Sequence, residues 1–318
     1  MTMTIGAPAV EAIELDKVYA GEVHAVKGLS FRVAPGEAFG LLGPNGAGKS
    51  TTIGMLNTTV RPTSGRALLG GVDVAEDPIG TRARSSVVFQ DTVVDHPLTG
   101  RQNLDLHLRL WGTDDAAGRA RLSALSELVG LGEYLDRPVA TYSGGQRRRM
   151  EVVGALVSDP QVLFLDEPTV GLDTRVRHDL FDVLATLRER TGVTILMTTH
   201  YLDEAERLCD RIAIVDGGRI VACDTPANLL RALGDEVLEL RLNQPEPAGA
   251  ALRAAGLPPD DILVIGATVT VVLRAHAADD LVNVLRERSF VLRAVTTRRP
   301  TFDDVYLRLT GDRIADDH

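Results

Sequence analysis

Nine consecutive residues, Gly43-Pro44-Asn45-Gly46-Ala47-Gly48-Lys49-Ser50-Thr51, fit the pattern G-x-x-x-x-G-K-[ST]. In such a run the glycines let backbone N–H groups turn inward around phosphate oxygens, helped by the start of the following helix. Lys49 is placed to neutralise β- and γ-phosphates, and the Ser50 hydroxyl to ligate Mg²⁺. Binding alone hydrolyses nothing: the metal wants a carboxylate and the attacking water must be oriented. The run VLFLDEP supplies two acids at the tip of an apolar stretch, Asp166 for the metal and Glu167 for the water. A third segment, Tyr142-Ser143-Gly144-Gly145-Gln146, sets a hydroxyl and two glycines at the head of a helix running to about Val157. Free N–H groups and the positive end of the helix dipole suit that segment to an anion.

These residues need a scaffold that ends several strands at one place. From about residue 11 to 223, short β-rich runs alternate with helical stretches, the pattern of an α/β domain. AFGLL (38–42) is the strand that must precede the phosphate loop. In the early strand Leu29, Phe31 and Val33 point one way, Ser30 and Arg32 the other. VLFLD (162–166) and VTILMT (193–198) are continuous apolar runs, as in a parallel sheet buried on both faces. Between them, residues 175–192 place Val176, Leu180, Val183, Leu184 and Leu187 at helical spacing and stop at Gly192. Asp216-Gly217 signals a hairpin turn. From about residue 236 the runs read strand, helix, strand, strand, helix, strand, the ferredoxin-like order. A last amphipathic helix follows, with Phe302, Val305, Tyr306 and Leu309 on one stripe.

A formal net charge of −10 disfavours a nucleic-acid partner, since counterion release needs clustered Lys and Arg. Arg147, Arg148 and Arg149 form the only dense basic run. Lys occurs only at Lys17, Lys27 and Lys49, so a Lys inside the phosphate loop is no accident of usage. Cys209 and Cys223 lack ligand-spaced partners and read as buried spectators. The opening MTMTIGAPAVEAIEL has no basic region followed by an apolar one, so it reads as no signal peptide. The longest uncharged apolar stretch, Ile262 to Leu273, is interrupted by Gly266 and falls short of the roughly twenty residues a membrane helix needs. The expectation is a cytoplasmic chain whose membrane work belongs to another polypeptide.

The motifs together resemble the nucleotide-binding subunits of ABC transporters over roughly residues 11 to 230. Tyr142 to Gln146 is similar to that family's LSGGQ signature, with Tyr in place of the usual Leu. The resemblance implies an α/β P-loop NTPase fold: a RecA-like core, an antiparallel β subdomain and an α-helical subdomain, followed by a small α+β C-terminal domain over 231–318. It also implies further site residues. Gln90, after SSVVF, matches the glutamine that contacts Mg²⁺ and the water; Asp173, in GLDT, matches the D-loop aspartate. His200, after ILMTT, matches the switch histidine at the γ-phosphate, and Tyr19 the aromatic that stacks on adenine. Family geometry implies a head-to-tail dimer, each ATP lying between the phosphate loop of one chain and Ser143-Gly144-Gly145 of the other. One intact copy of every element makes a homodimer the simplest expectation, with a paralogue as the alternative partner.

The ending RPTFDDVYLRLTG (299–311) is similar to that of the daunorubicin-resistance type of ABC ATPase, as is LTGRQNL (98–104). That type implies a separate ABC-2 membrane permease, export of a drug, lipid or glycan, and a place on the cytoplasmic face of the plasma membrane. Thr301 as N-cap, with Asp303 and Asp304 in the first turn, also accounts locally for the ending. The rival class is an ABC ATPase working on ribosomes or DNA. Its members carry two ATPase domains, long heptad coils or zinc-binding cysteines, none of which stands in this sequence.

Overall fold

The computed structural model describes residues 7–274 and 276–311. The first six residues of the segment read as no signal peptide, and the end of the C-terminal domain beyond Gly311, lie outside the described residues. The chain divides into two compact units, one ending at Ile220 and the other beginning at Val221.

In the first unit, β1 (Val10–Tyr19) and β2 (Val23–Val33) form an antiparallel pair that β4 (Ser64–Leu69) and β5 (Val72–Asp73) extend to four strands, in order β2-β1-β4-β5. The alternation expected in β2 holds: Leu29, Phe31 and Val33 are buried while Ser30 and Arg32 are exposed. β3 (Ala38–Leu42) and α1 (Lys49–Leu56) flank the phosphate loop. After α2 (Pro78–Arg84) and β6 (Ser85–Val88) comes a helical layer, α3 (Gly100–Leu110), α4 (Ala116–Leu128) and α5 (Gly144–Leu156). The chain then returns through β7 (Val162–Asp166), α6 (Thr174–Thr191), β8 (Thr194–Thr199), α7 (Leu202–Leu208), β9 (Arg211–Asp216) and β10 (Arg219–Asp224), the strand within which the division into two units falls.

The main sheet has six strands in the order β10-β9-β3-β8-β7-β6, and the pairs from β9 through β6 are parallel. β3 and β8 are buried along their whole length, which is why both are written in continuous apolar residues. Phe31 of the antiparallel sheet stacks on Phe39 of the main sheet, ring centroids 5.0 Å apart, so one core serves both. α6 begins on Asp173, whose carboxylate accepts the Val176 N–H, and ends on Gly192 in the left-handed conformation, as expected.

Two readings need correction here. The hairpin turn is Gly217-Gly218, both at positive φ, and Asp216 is the last residue of β9. Two successive positive φ values define the turn that matches strand twist, and glycine adopts them without a clash. Cys209 is buried, which pushes its thiol pKa up, but Cys223 is exposed. It lies on β10, an edge strand with no fully buried residue, so its apolar letters do not mean core.

The second unit follows α8 (Pro226–Arg231) with β11 (Glu236–Leu242), α9 (Pro245–Ala254), β12 (Ile262–Ile265), β13 (Thr268–Leu273), α10 (Ala278–Glu287), β14 (Leu292–Arg298) and α11 (Phe302–Thr310). The sheet order β12-β13-β11-β14, every neighbour antiparallel, is that of the ferredoxin-like fold. Leu238, Leu240 and Leu242 pack with Leu252 of α9 and Leu281 and Leu285 of α10 in a separate core. On α11, Phe302, Val305 and Tyr306 are buried as expected, whereas Leu309 is exposed and Leu307 is buried in its place.

Asp304 anchors α11. Its carboxylate accepts from Arg298 Nη1 at 2.6 Å and Nη2 at 2.9 Å, and from the Thr301 N–H at 2.7 Å. Burial alone would raise this carboxyl; the hydrogen bonds from Arg298 and Thr301 outweigh it and hold the pKa below the usual carboxylate range. The stabilisation is therefore present above the unfolded-state pKa near 4 and is lost as pH falls through the lower folded value. Asp304→Asn should weaken the second unit by about 2 kcal/mol, the scale of hydrogen bonds to a charged group. It should also flatten the acid limb of stability below about pH 4. Urea unfolding followed at several pH values reads both, and a variant with an unchanged acid limb would remove Asp304 from this role.

Candidate active site

Three adjacent parallel strands deliver the site. In register, Leu42 of β3 pairs with Thr199 of β8, and Asp166 of β7 pairs with Thr198. The residues that follow these strands, Gly43, Glu167 and His200, therefore emerge level with one another. Space as well as backbone freedom requires glycine in the loop. Gly48 sits at φ +97, and a Cβ there would lie 2.3 Å from the Ala25 carbonyl oxygen; on Gly43 it would lie 2.2 Å from that of Val215.

Lys49 is buried at the start of α1. Its Nζ donates to the carbonyls of Gly43 (2.7 Å) and Pro44 (3.0 Å) and stands 3.2 Å from Glu167 Oε1. Burial lowers the Lys49 pKa, opposed by the charges of Glu167 and Asp166. The other Glu167 oxygen is 3.3 Å from His200 Nδ1. His200 and, more weakly, Lys49 hold Glu167 below the usual carboxylate range, against the effect of burial. Ser50 Oγ donates to Asp166 Oδ1 at 2.9 Å. Thr198 Oγ donates to the same oxygen at 2.6 Å and accepts the Glu167 N–H at 3.0 Å, so one hydroxyl braces both acids. Glu167 does not continue β7. It stands at φ +45, a conformation uncommon outside glycine, which turns its side chain toward Lys49 and His200.

Tyr19, at the end of β1, is partly exposed; its hydroxyl is 3.4 Å from Thr51 Oγ1, and Lys17 Nζ lies 5.0 Å from its ring centroid. Gln90 is exposed just after β6. Ser143 and Asp173 form a second cluster, as N-caps of α5 and α6. Ser143 accepts the Gln146 N–H at 3.2 Å while Gln146 Oε1 accepts the Ser143 N–H at 2.9 Å. A Cβ on Gly145 would lie 2.4 Å from Val176 Cγ1, so the close approach of the two helix starts needs glycine. Ser143 and Asp173 are both exposed there.

Residues 26–170 match the family model described as ABC transporter. Over 313 residues the chain is 42% identical to the daunorubicin/doxorubicin resistance ATP-binding protein of Streptomyces peucetius, covering 95% of this chain and 92% of that protein. The chain belongs to the ABC transporter family. It is also 40% identical to the Nod factor export ATP-binding protein I of Paraburkholderia xenovorans (strain LB400), covering 96% of this chain and 99% of that one. The solved cbiO1 structure from Clostridium perfringens, part of the ABC transporter complex cbiONQ, superposes with a TM-score of 0.65 at 27% identity, covering 71% of this chain and 94% of that one. The chain is thus an ATP-binding, ATP-hydrolysing ABC subunit. Its main sheet is the RecA-like core, its four-stranded sheet the antiparallel β subdomain, and α3 to α5 the helical subdomain.

The ABC signature carries Tyr where Leu is usual, and the fold shows how the ring is housed. Tyr142 is buried, its hydroxyl donates to the Tyr134 carbonyl at 2.6 Å, and a Cβ on Gly100 would lie 2.2 Å from that hydroxyl. Gly100, in the LTGRQNL segment, makes the room. The arginine run is not an exposed basic patch: Arg148 is buried, and Arg147 and Arg149 donate to the carbonyls of Tyr142 and Val129. Thr169, Thr198 and Glu204 sit among the site loops with no signal in the sequence, and Arg148, noted there only as part of a basic run, sits with them. Gly145, Arg148 and Val152 fall on one helical face, a spacing that marks Arg148 as the inward member of the three arginines.

The donor set suits the groups the family implies. Ser50 and Asp166 offer hard oxygens 2.9 Å apart, and Gln90 a third. Among the described residues no group of three or more His, Cys, Asp or Glu is arranged to hold a metal. Mg²⁺ needs none, because it binds one or two protein oxygens and completes its shell with phosphates and water.

Proposed function

We propose that this chain is the motor subunit of an ABC-2 exporter, moving a drug-like, lipid or glycan cargo through a separate membrane permease. The observation that carries this reading is the convergence of Lys49, Ser50, Asp166, Glu167 and His200 at the ends of β3, β7 and β8. The relatives' names favour transport over the ribosome- or DNA-acting alternative. The ATP-binding domain is assigned to residues 11–230 and the accessory domain to 231–318. Tyr19 stacks on adenine; Gly43, Pro44, Asn45, Gly46, Ala47, Gly48 and Thr51 cradle the phosphates, and Lys49 neutralises them. Ser50, Asp166 and Gln90 would hold Mg²⁺, which when bound would supply positive charge to the phosphate oxygens. Glu167 orients and deprotonates the water, and His200 holds that carboxylate and contacts the γ-phosphate. Ser143, Gly144, Gly145 and Gln146, with Asp173, complete the partner's site in a head-to-tail homodimer that ATP closes and hydrolysis reopens. No nucleic acid takes part, and the chain works on the cytoplasmic face of the plasma membrane, held there by the permease; among the described residues no helix is long and apolar enough to cross a membrane.

A groove of about 850 Å³ between residues 86–97 and helices α3 and α5 is the proposed permease contact. Phe89, Val93, Leu106, Leu110 and Trp111 line it, all exposed and large, an unusual apolar concentration on a surface otherwise rich in charge. The neighbouring turn leads to Gln90, which gives a short path from the groove to the site. Leu110→Glu should place a charge in a desolvated contact and prevent recovery of the chain with its membrane subunit, the fold being checked by circular dichroism. Vesicles carrying both subunits should move cargo on ATP. Full recovery of the Leu110→Glu variant in a transporting complex would rule out this groove as the contact, and vesicles that hydrolyse ATP but move no drug, lipid or glycan would sink the exporter reading.

A further inference from the structure

The positive φ of Glu167 is a strained conformation for a residue with a side chain, and it persists only where the surroundings over-determine it. Two buried polar side chains, neither of them among the residues assigned above, grip the turn that holds it. Arg148, on α5, donates from Nε to the Pro168 carbonyl at 2.6 Å, and its Nη2 stands 3.5 Å from the Glu167 carbonyl. Its Nη1 donates to the carbonyl of Phe89, the residue before Gln90, at 2.5 Å and to Glu151 Oε2 at 3.0 Å. Glu204, on α7, accepts from Thr169 Oγ1 and from Thr199 Oγ1, the latter at 2.5 Å, with Arg177 Nε at 3.5 Å. The Arg177 guanidinium lies 3.9 Å from the Tyr201 ring centroid, and that ring lies 4.0 Å from the His200 ring.

We infer that Arg148 and Glu204 are positioning residues for ATP hydrolysis: they fix the Glu167–Thr169 turn and tie it, through Phe89 and Thr199, to Gln90 and His200. Stability alone is a poor reason for them, because buried ion pairs and polar clusters are commonly replaced by apolar residues without loss. What an apolar residue cannot do is aim at three carbonyls from three directions. The planar fork of Arg148 does so, and a lysine ammonium at the same place has neither the span nor the geometry. Glu204 acts on the far end of the same turn. Burial raises its carboxyl pKa, and the hydrogen bonds with Thr169 and Thr199 offset only part of that rise.

The inference rests on the reading of Glu167 as the residue that orients the water, and the two can fail separately. Hydrolysis by the full chain with Mg²⁺, together with ATP affinity by titration calorimetry, is measured for Arg148→Ala, Arg148→Lys and Glu204→Gln. Displacing a water-orienting group by about 1 Å costs on the order of 100-fold in rate, so kcat should fall on that scale in Arg148→Ala while ATP affinity holds. Low-millimolar guanidinium should return part of the lost rate to Arg148→Ala and none to Glu167→Gln; Arg148→Lys should stay slow. Glu204→Gln, nearly isosteric, should lose kcat without losing affinity, and it decides the matter if Arg148→Ala does not fold. An unchanged kcat in Glu204→Gln overturns the inference, as does a loss in Arg148→Ala that tracks affinity and ignores guanidinium. Normal turnover by Glu167→Gln would overturn the base assignment instead.

Discussion

Glu167→Gln should bind ATP, close the dimer and stop there, with kcat reduced about 1,000-fold, within the range that general-base loss commonly produces. The substitution keeps the size and leaves an oxygen that can still hold a water. It removes the negative charge that His200 and Lys49 now stabilise, and with it the capacity to take the proton from that water. ATP affinity should not suffer. Lys49 Nζ stands 3.2 Å from Glu167 Oε1, so a neutral Gln releases the ammonium from a competing partner and leaves it freer for phosphate. On the proposed head-to-tail dimer, sedimentation with ATP should show the variant as a persistent dimer and the parent chain as a transient one. Turnover at the parent rate would mean that another group orients the water.

Lys49→Ala should show the opposite balance. Among the ion pairs of the described residues, the Glu167 carboxylate meets the Lys49 ammonium and the His200 imidazole, and the ammonium also donates to the carbonyls of Gly43 and Pro44. Removing it takes away charge-assisted contacts to phosphate worth about 3 kcal/mol, which lowers ATP affinity about 100-fold. It also leaves Glu167 in a buried place with one partner fewer. Burial already pushes that carboxyl upward, and without Lys49 its pKa rises. Residual hydrolysis at saturating ATP should therefore shift its acid limb to higher pH, in addition to a rate loss of about 100-fold for a lost electrostatic donor. Calorimetry and a pH–rate profile read these separately. Unchanged affinity would remove Lys49 from the phosphate site.

The site was legible where chemistry is written in consecutive residues. Gly43 to Thr51 and Ser143 to Gln146 carry their geometry locally, because each is a turn followed by the first residues of a helix. The register of β3, β7 and β8 was not needed to list Asp166 and Glu167; it explains why their loops meet. Arg148 and Glu204 stayed hidden for a physical reason. Apart from nearby Glu151, the partners that tie Arg148 to the site are backbone carbonyls, two of them 20 and 59 residues away, and a carbonyl has no letter in the sequence. The succession of runs disclosed the order of elements in the second unit but not the far end of α11, where Leu309 turns outward and Leu307 inward. A stripe read at spacings of three and four assumes that one side of a helix is covered throughout, and α11 is covered on more than one side at its middle.

The order of strands in the main sheet has a bearing on how the chain is made. β3, which leads into the phosphate loop, takes both its neighbours from far downstream: Ala38 pairs with Ile195, and Leu42 with Ile214. Long sequence separations of this kind make pairing slow, and nothing can pair with residues not yet synthesised. At typical elongation rates the stretch from Leu42 to Ile214 takes roughly ten to thirty-five seconds to emerge. Until β8 emerges the apolar run AFGLL has no partner on either edge, and until β9 follows one edge stays open. The nascent chain therefore carries a half-made nucleotide pocket with its apolar strand uncovered until β9 arrives, and exposed surface of that kind is prone to aggregate before it is prone to bind ATP.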